Sequence, residues 1–266
     1  MSATFLVVPQ WQGSGSDRAM RLVDGAEAIR GDLPASATVL VDVPLEAGDA
    51  LGTGIARLSS LRAVRENVEF GLLTAENRPI VIGGDCGVAW APVVSLARAD
   101  SVAVIWFDAH PDLNDAESSP SQAFAGMVLR TLIDEEGVDA GTVVVAGARD
   151  FDDEEDRFVE RTRIRHVSVY DMDTADALLE AVAATGAREI YIHVDLDVLD
   201  PAEVSGVGAP VPFGLSATGL VDAVRALRER WPLVGASLCG FAPGSPDAAI
   251  DDLPVILRLI GALARD

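Results

Sequence analysis

Along the chain, short and nearly unbroken runs of β-branched and aliphatic residues alternate with longer stretches rich in Ala, Leu and Arg, where apolar positions recur at helical spacing. The runs predict strands at residues 5–8, 38–43, 79–82, 102–108, 142–146, 165–168, 189–194 and 233–238. Most are apolar at every position, as expected of strands in a parallel sheet covered on both faces. The clearest helical patterns span residues 54–74 and 216–229, the second opening on Ser216 as its N-cap. Strands that alternate with 10–20-residue helices predict a doubly wound α/β domain. No internal repeat, low-complexity tract or Pro/Gly linker divides the chain, so residues 1–266 are expected to form a single domain.

Charge narrows the chemistry. The chain carries 20 Lys+Arg against 42 Asp+Glu, a formal net charge of -22, and every basic residue is arginine. With no lysine there is no Schiff-base amine and no phosphate-binding loop of the G-x-x-x-x-G-K-[ST] type. An acidic surface also disfavours nucleic acids and anionic membranes, whose phosphates need a basic face. No run approaches the ~20 apolar residues needed to span a bilayer. The amino-terminal apolar run, residues 5–9, lacks a basic flank and is too short for a secretory signal. A cytoplasmic protein is expected, with Cys86 and Cys239 reduced.

In α/β sheets of this kind ligands bind beyond the carboxyl ends of the strands, and three predicted strand ends carry reactive groups. In VIWFDAHPDLN an apolar strand runs into Asp108, His110 and Asp112. If the chain stays extended, the i, i+2, i+4 spacing puts all three on one side. In IYIHVDLDVLDP, His193, Asp195 and Asp197 alternate with apolar Val194, Leu196 and Val198. Carboxylates held side by side at a buried strand end repel one another unless a cation or proton lies between them. The third strand end, PIVIGGDCG, combines a glycine turn with Asp85 and Cys86 and is weak evidence alone. Together these groups describe a two-metal site rich in oxygen and nitrogen ligands, suited to Mn²⁺-like ions and to hydrolysis.

These residues resemble the ureohydrolases: arginase, agmatinase and formimidoylglutamase. That family carries GGDHS, DAHxD and SxDxDxxDP in this order, where the present chain reads GGDCG, DAHPD and HVDLDVLDP. The resemblance implies a three-layer αβα fold with a mostly parallel sheet of roughly eight strands. It implies two Mn²⁺ ions per chain and hydrolysis of a C–N bond in a small guanidino or amidino compound, as in hydrolases acting on linear amidines. By the same resemblance, Asp108 and Asp195 bridge the two ions, His110 and Asp197 complete one, and Asp112 with Cys86 completes the other. Asp112 is further implied as the catalytic proton carrier. Asn114 and Ser121 fall where arginases hold a substrate carboxylate, and Asp152 where they hold the α-amino group. Trimers or hexamers are common in the family.

The chain departs from that pattern at four positions. Cys86 replaces a ligand histidine, and its softer sulfur opens the site to Zn, Fe, Co or Ni. Ala125 stands in place of a proton-shuttling histidine, and Gly240 in place of the carboxylate that grips the guanidinium. His193 replaces a serine, either supporting Asp195 from behind or acting as a satisfied core histidine. Two readings follow: a metal-dependent hydrolase with substituted catalytic positions, or a non-catalytic or regulatory member that binds metal or ligand. VDLDV also fits the D-x-D-x-[TV] nucleophile motif of haloacid-dehalogenase-like phosphatases, but that chemistry normally uses a lysine and this chain has none.

Overall fold

A computed structural model describes residues 3–99 and 101–265. Its frame is an eight-stranded sheet in which every neighbouring pair runs parallel. The strands are β1 (Ala3–Val7), β2 (Thr38–Leu40), β3 (Arg78–Ile82), β4 (Val102–Phe107), β5 (Val143–Ala146), β6 (Arg165–Val167), β7 (Glu189–Asp195) and β8 (Leu233–Cys239), in the spatial order β2-β1-β3-β8-β7-β4-β5-β6. Each falls within a few residues of its expected run. The two edge strands are the shortest, at three residues each, which limits the unpaired backbone left for another chain.

Alternation of side chains along each strand divides the core into two layers. On one face Phe5, Val7, Ile80, Ile82, Ile105 and Ile192 pack against α1 (Arg21–Asp32), α6 (Asp176–Ala183), α7 (Ala217–Arg230) and α8 (Pro246–Ala264). On the other, Leu6, Val81, Val104, Trp106 and Tyr191 meet α2 (Leu58–Thr74), α3 (Trp90–Leu96), α4 (Val128–Asp134) and α5 (Asp153–Arg161). The result is the three-layer αβα arrangement. Helix ends follow local chemistry. Ser216 Oγ accepts from Gly219 N at 3.0 Å to cap α7, whose last turn carries Arg228 and Arg230 against the negative end of the helix dipole. Ser245 caps α8, with Pro246 in the first helical position. Among the described residues no helix is long and apolar enough to cross a membrane.

For the site, the decisive feature is that β3, β8, β7 and β4 lie side by side at the centre of the sheet. Their carboxyl ends come from four distant parts of the sequence and open on one side.

Candidate metal centre

Each central strand end turns sharply and presents a polar group. After β3, Gly83 and Gly84 adopt φ of +92° and +80°, a region open mainly to glycine. Asp85 then accepts from Gly87 N and Gly13 N at 2.9 Å each and from Gln10 Nε2 at 2.8 Å. That anchored turn points Cys86 inward. After β4, His110 N donates to Asp108 Oδ1 at 2.8 Å. The backbone does not stay extended here as the spacing suggested. Asp112 has φ +55°, so its carboxylate joins Asp108 and His110 through a turn rather than by alternation, a conformation uncommon outside glycine and frequent at functional sites.

Strand β7 ends at Asp195, while Asp197 lies in the 3₁₀ turn Leu196–Val198. Asp197 N donates to Asp195 Oδ1 at 2.9 Å, and Ala109 N to Asp197 Oδ1 at 3.1 Å, which ties the β4 and β7 ends together. His193 does not hydrogen-bond to Asp195. Its Nδ1 pairs with Ser237 Oγ at 2.7 Å, its ring stacks on Trp106 at 3.6 Å, and its Nε2 lies 3.7 Å from Cys239 Sγ.

Asp108, Asp112, Asp195 and Asp197 are each at most 6% exposed. Burial, with mutual repulsion added, raises the pKa of all four: Asp195 and Asp197 to about 6, Asp112 well above the usual carboxylate range. His110 Nδ1 lies 3.1 Å from Asp197 and 3.5 Å from Asp108. Burial opposes charge on this imidazole, but its bonds to the two carboxylates prevail and push it up to about 12. Asp112 Oδ2 is buried without a hydrogen-bond partner. Two groups of side chains bring ligand atoms within 4.8 Å of one another here, Asp108–His110–Asp197 and Cys86–Asp108–Asp112–His193. A donor set of four crowded carboxylates, one of them with an idle oxygen, fits divalent cations better than it fits protons.

These groups form the floor of a cleft of about 430 Å³. Asn114, Ser121 and Asp152 all reach its wall. Asn114 Nδ2 donates to Asp152 Oδ2 at 2.8 Å, leaving Asn114 Oδ1 buried and unpaired. Ser121 is exposed at the mouth beside Ser119. Ala125 and Gly240 also line the cleft. His166 and Glu203, side chains able to carry a proton or a negative charge, do not compensate for them. His166 is exposed and bonds to Ala148 O, Glu203 bonds to Ala217 N at the start of α7, and neither reaches the cleft.

Two contributors, Glu155 and Cys239, were given no part in the site by the sequence, and a third, Asp85, was placed at its strand end without a role. Glu155 is buried and accepts from Leu113 N at 3.0 Å and Asp152 N at 2.9 Å, fixing the loop that carries Asp112 to the start of α5. Its signal was a capping-box spacing, Asp152 followed by Glu155. Asp85, raised by burial to about 6, locks the β3 turn. Cys239, fully buried at the end of β8, stands next to Gly240 in CGFAP but had no role of its own in the sequence.

Comparison with known sequences decides the family. A sequence profile described as "Arginase family" matches residues 25–249. The chain belongs to the arginase family. It is 30% identical over 203 residues to an arginase of Bacillus caldovelox, a match covering 66% of this chain and 68% of that relative. With the arginase of Bacillus subtilis strain 168 it shares 32% identity over 157 residues, 52% of either chain, so the match spans about half that relative's length. The fold agrees with a crystal structure of Entamoeba histolytica arginase in complex with L-ornithine, at TM-score 0.84 and 20% identity over 98% of this chain and 97% of that one.

Against the arginase-family pattern, Gly240 is more than a truncated side chain. Its φ is +87°, and a Cβ there would collide with Asp195 Oδ1 and lie 2.9 Å from Asp195 Cγ. A carboxylate at this position is therefore incompatible with the present seat of Asp195. By contrast, Ala125 sits half-buried on the cleft wall.

Proposed function

We propose that this protein is a metal-dependent hydrolase that cleaves a C–N bond in a small, cationic guanidino or amidino compound. The observation that carries the reading is the convergence of four buried aspartates and His110 at the carboxyl ends of β4 and β7, on the floor of a substrate-sized cleft. On this reading Asp108, Asp195, His110 and Asp197 would hold one ion, and Asp108, Asp195, Cys86 and Asp112 the other. Manganese is the family's usual ion, and the Cys86 sulfur opens the site to Zn, Fe, Co or Ni. When bound, such ions supply Lewis acidity and let a water ionise near neutral pH.

The chain's own groups supply the rest. Asp112 Oδ2, buried and unpartnered, is the acceptor positioned to take a proton and pass it to a leaving amine. Asp152 and the free Oδ1 of Asn114 form an acceptor-rich wall. Because the Asn114 amide N–H₂ already serves Asp152, this pair suits an ammonium or amidinium, and Ser121 is left to contact a substrate carboxylate. Asp150 and Asp152, both exposed, add negative charge around the mouth, and a cleft of one sign concentrates ligands of the other.

A second reading, a non-catalytic member that binds metal or ligand, is favoured by Ala125 and Gly240, which provide neither a proton shuttle nor a counter-charge. Loss of a general acid/base group alone typically costs ~10²–10⁴-fold in rate. Urea and ammonia release, measured on metal-loaded protein with arginine, agmatine, guanidinobutyrate, formimidoylglutamate and guanidine, separates the two. Turnover of any one supports the hydrolase, and none at all supports the binding protein. Metal analysis tests the site itself: Asp195→Ala should strip the ions that the unaltered protein retains. The proposal also places the protein in the cytoplasm as a homo-oligomer, a trimer or hexamer, built from one domain over residues 1–266. Cell fractionation, light scattering and the cooperativity of unfolding check these points.

A further inference from the structure

His193 lies in β7, Cys239 ends β8 and Cys86 follows the turn after β3, yet the structure gathers their ligand atoms within 4.8 Å of one another at the β8 side of the centre. The Cys86 and Cys239 sulfurs are 3.8 Å apart, Cys239 Sγ lies 3.7 Å from His193 Nε2, and Asp195 Oδ2 lies 3.4 Å from Cys239 Sγ and 2.9 Å from Cys86 Sγ. All four residues are at most 6% exposed. A tetrahedral zinc ion with bonds of ~2.3 Å to sulfur and ~2.0 Å to nitrogen or oxygen requires edges of about 3.8 Å between sulfurs and about 3.5 Å from sulfur to nitrogen or oxygen. Three of the four distances are close to those edges. The shortest, Cys86 to Asp195, is the approach of a thiol donating to a carboxylate, which an ion between them replaces.

Two further observations point the same way. His193 is held as a metal-binding histidine usually is, with its remote nitrogen engaged by Ser237 and its ring clamped on Trp106. Asp112 Oδ2, buried and unpartnered, belongs to a side chain that can bring a ligand atom within the same distance of both Cys86 and His193.

We propose that Cys86, Cys239, His193 and Asp195 form a thiolate-rich site for a zinc-class ion, selective against manganese and adjacent to the oxygen-and-nitrogen pocket of Asp108, His110 and Asp197. The centre is then chemically divided, a soft half beside β8 and a hard half beside β4. Thiolate and imidazole favour zinc, cobalt or similar ions, whereas carboxylate-rich pockets accept manganese. The inference rests on the reading of this cluster as a metal centre; it specifies which ion each half takes and puts Cys239 and His193 in place of Asp108 and Asp112 beside Cys86 and Asp195.

The test is cobalt titration of the metal-stripped, full-length protein under a metal-inert reductant. Cobalt should bind with a near-ultraviolet thiolate-to-metal charge-transfer band and the intense visible bands of a four-coordinate ion. Zinc should erase both at stoichiometric concentration, and manganese in large excess should not. Cys239→Ser and His193→Gln should each weaken cobalt and zinc binding at least ~10²-fold, since even groups that merely support a ligand are worth 10–100-fold. Asp197→Asn should leave the charge-transfer band in place. Stoichiometric cobalt binding without a charge-transfer band overturns the proposal, as does Cys239→Ser with unchanged band and affinity. If a variant fails to fold, as circular dichroism would show, the spectrum of the unaltered protein decides alone. A band with no turnover of any amidine leaves the site standing and removes the hydrolase reading, whereas turnover without the band does the reverse.

Discussion

Gly240 offers the sharpest test of how the centre is assembled. Replacing it by alanine introduces two separable penalties. A non-glycine residue at φ +87° costs about 1–2 kcal/mol of backbone strain. The new Cβ would also stand 2.9 Å from Asp195 Cγ, where carbon atoms prefer about 3.5–4.0 Å. The carboxylate must therefore retreat by roughly an ångström, and crowding of this kind costs about 1–3 kcal/mol. The sum, about 2–5 kcal/mol, corresponds to a Tm lowered by roughly 4–20 °C at the 2–4 °C per kcal/mol typical of a chain near this size. Gly186→Ala is the control: φ is +75° there, but open space surrounds the position, so only the strain remains. Thermal unfolding of both variants isolates the collision, and metal titration reports its effect on Asp195, expected as at least a ~10-fold loss of affinity for Gly240→Ala alone. Equal Tm losses for the two variants, with metal binding intact, would refute the claim that Gly240 is required to seat Asp195.

Three more expectations follow from the site. Glu155→Ala removes a buried carboxylate that serves two backbone N–H groups and should cost about 3–5 kcal/mol in denaturant unfolding, hydrogen bonds to charged groups being worth about 1.5–3 kcal/mol each; a change below 1 kcal/mol would contradict its anchoring role. In chelator-treated protein, Asp195 is held neutral up to about pH 6 by burial and by Asp197 but ionises near 4 in the unfolded chain, so its contribution to stability falls as pH rises from about 4 to about 6. Asp195→Asn should thus gain on the unaltered protein across that window, by up to about 3 kcal/mol, and a flat difference would show that the carboxylate is not desolvated. Asp152→Asn, which keeps a capping side chain for α5, should raise KM for a cationic substrate at least ~10-fold with little change in Tm; an unchanged KM would remove Asp152 from substrate binding.

The sequence by itself determined the layout. Eight apolar runs were sufficient to locate eight strands, because a strand buried on both faces must be apolar at nearly every position. The DAHPD and HVDLDVLDP segments marked two strand ends, because several ionisable groups within five residues of a buried run signal a cation. Asp108, Asp195 and Asp197 were legible for that reason, and Cys86 through the position it shares with a family ligand. What remained hidden was whatever depends on the order of strands. Cys239 carries no local signal, and His193 could equally be a core histidine when read along its own strand. They become neighbours of Cys86, 153 residues from Cys239, only because β8 inserts between β3 and β7. Gly240 illustrates the same limit. In the sequence it marks a missing carboxylate, but in the fold it is a positive-φ turn that leaves Asp195 no room for a neighbour's Cβ. Local periodicity follows from which face of an element is buried, so the sequence reports it directly. The chemistry of this centre is set by contacts between chain ends far apart in sequence, and only the packed sheet brings those together.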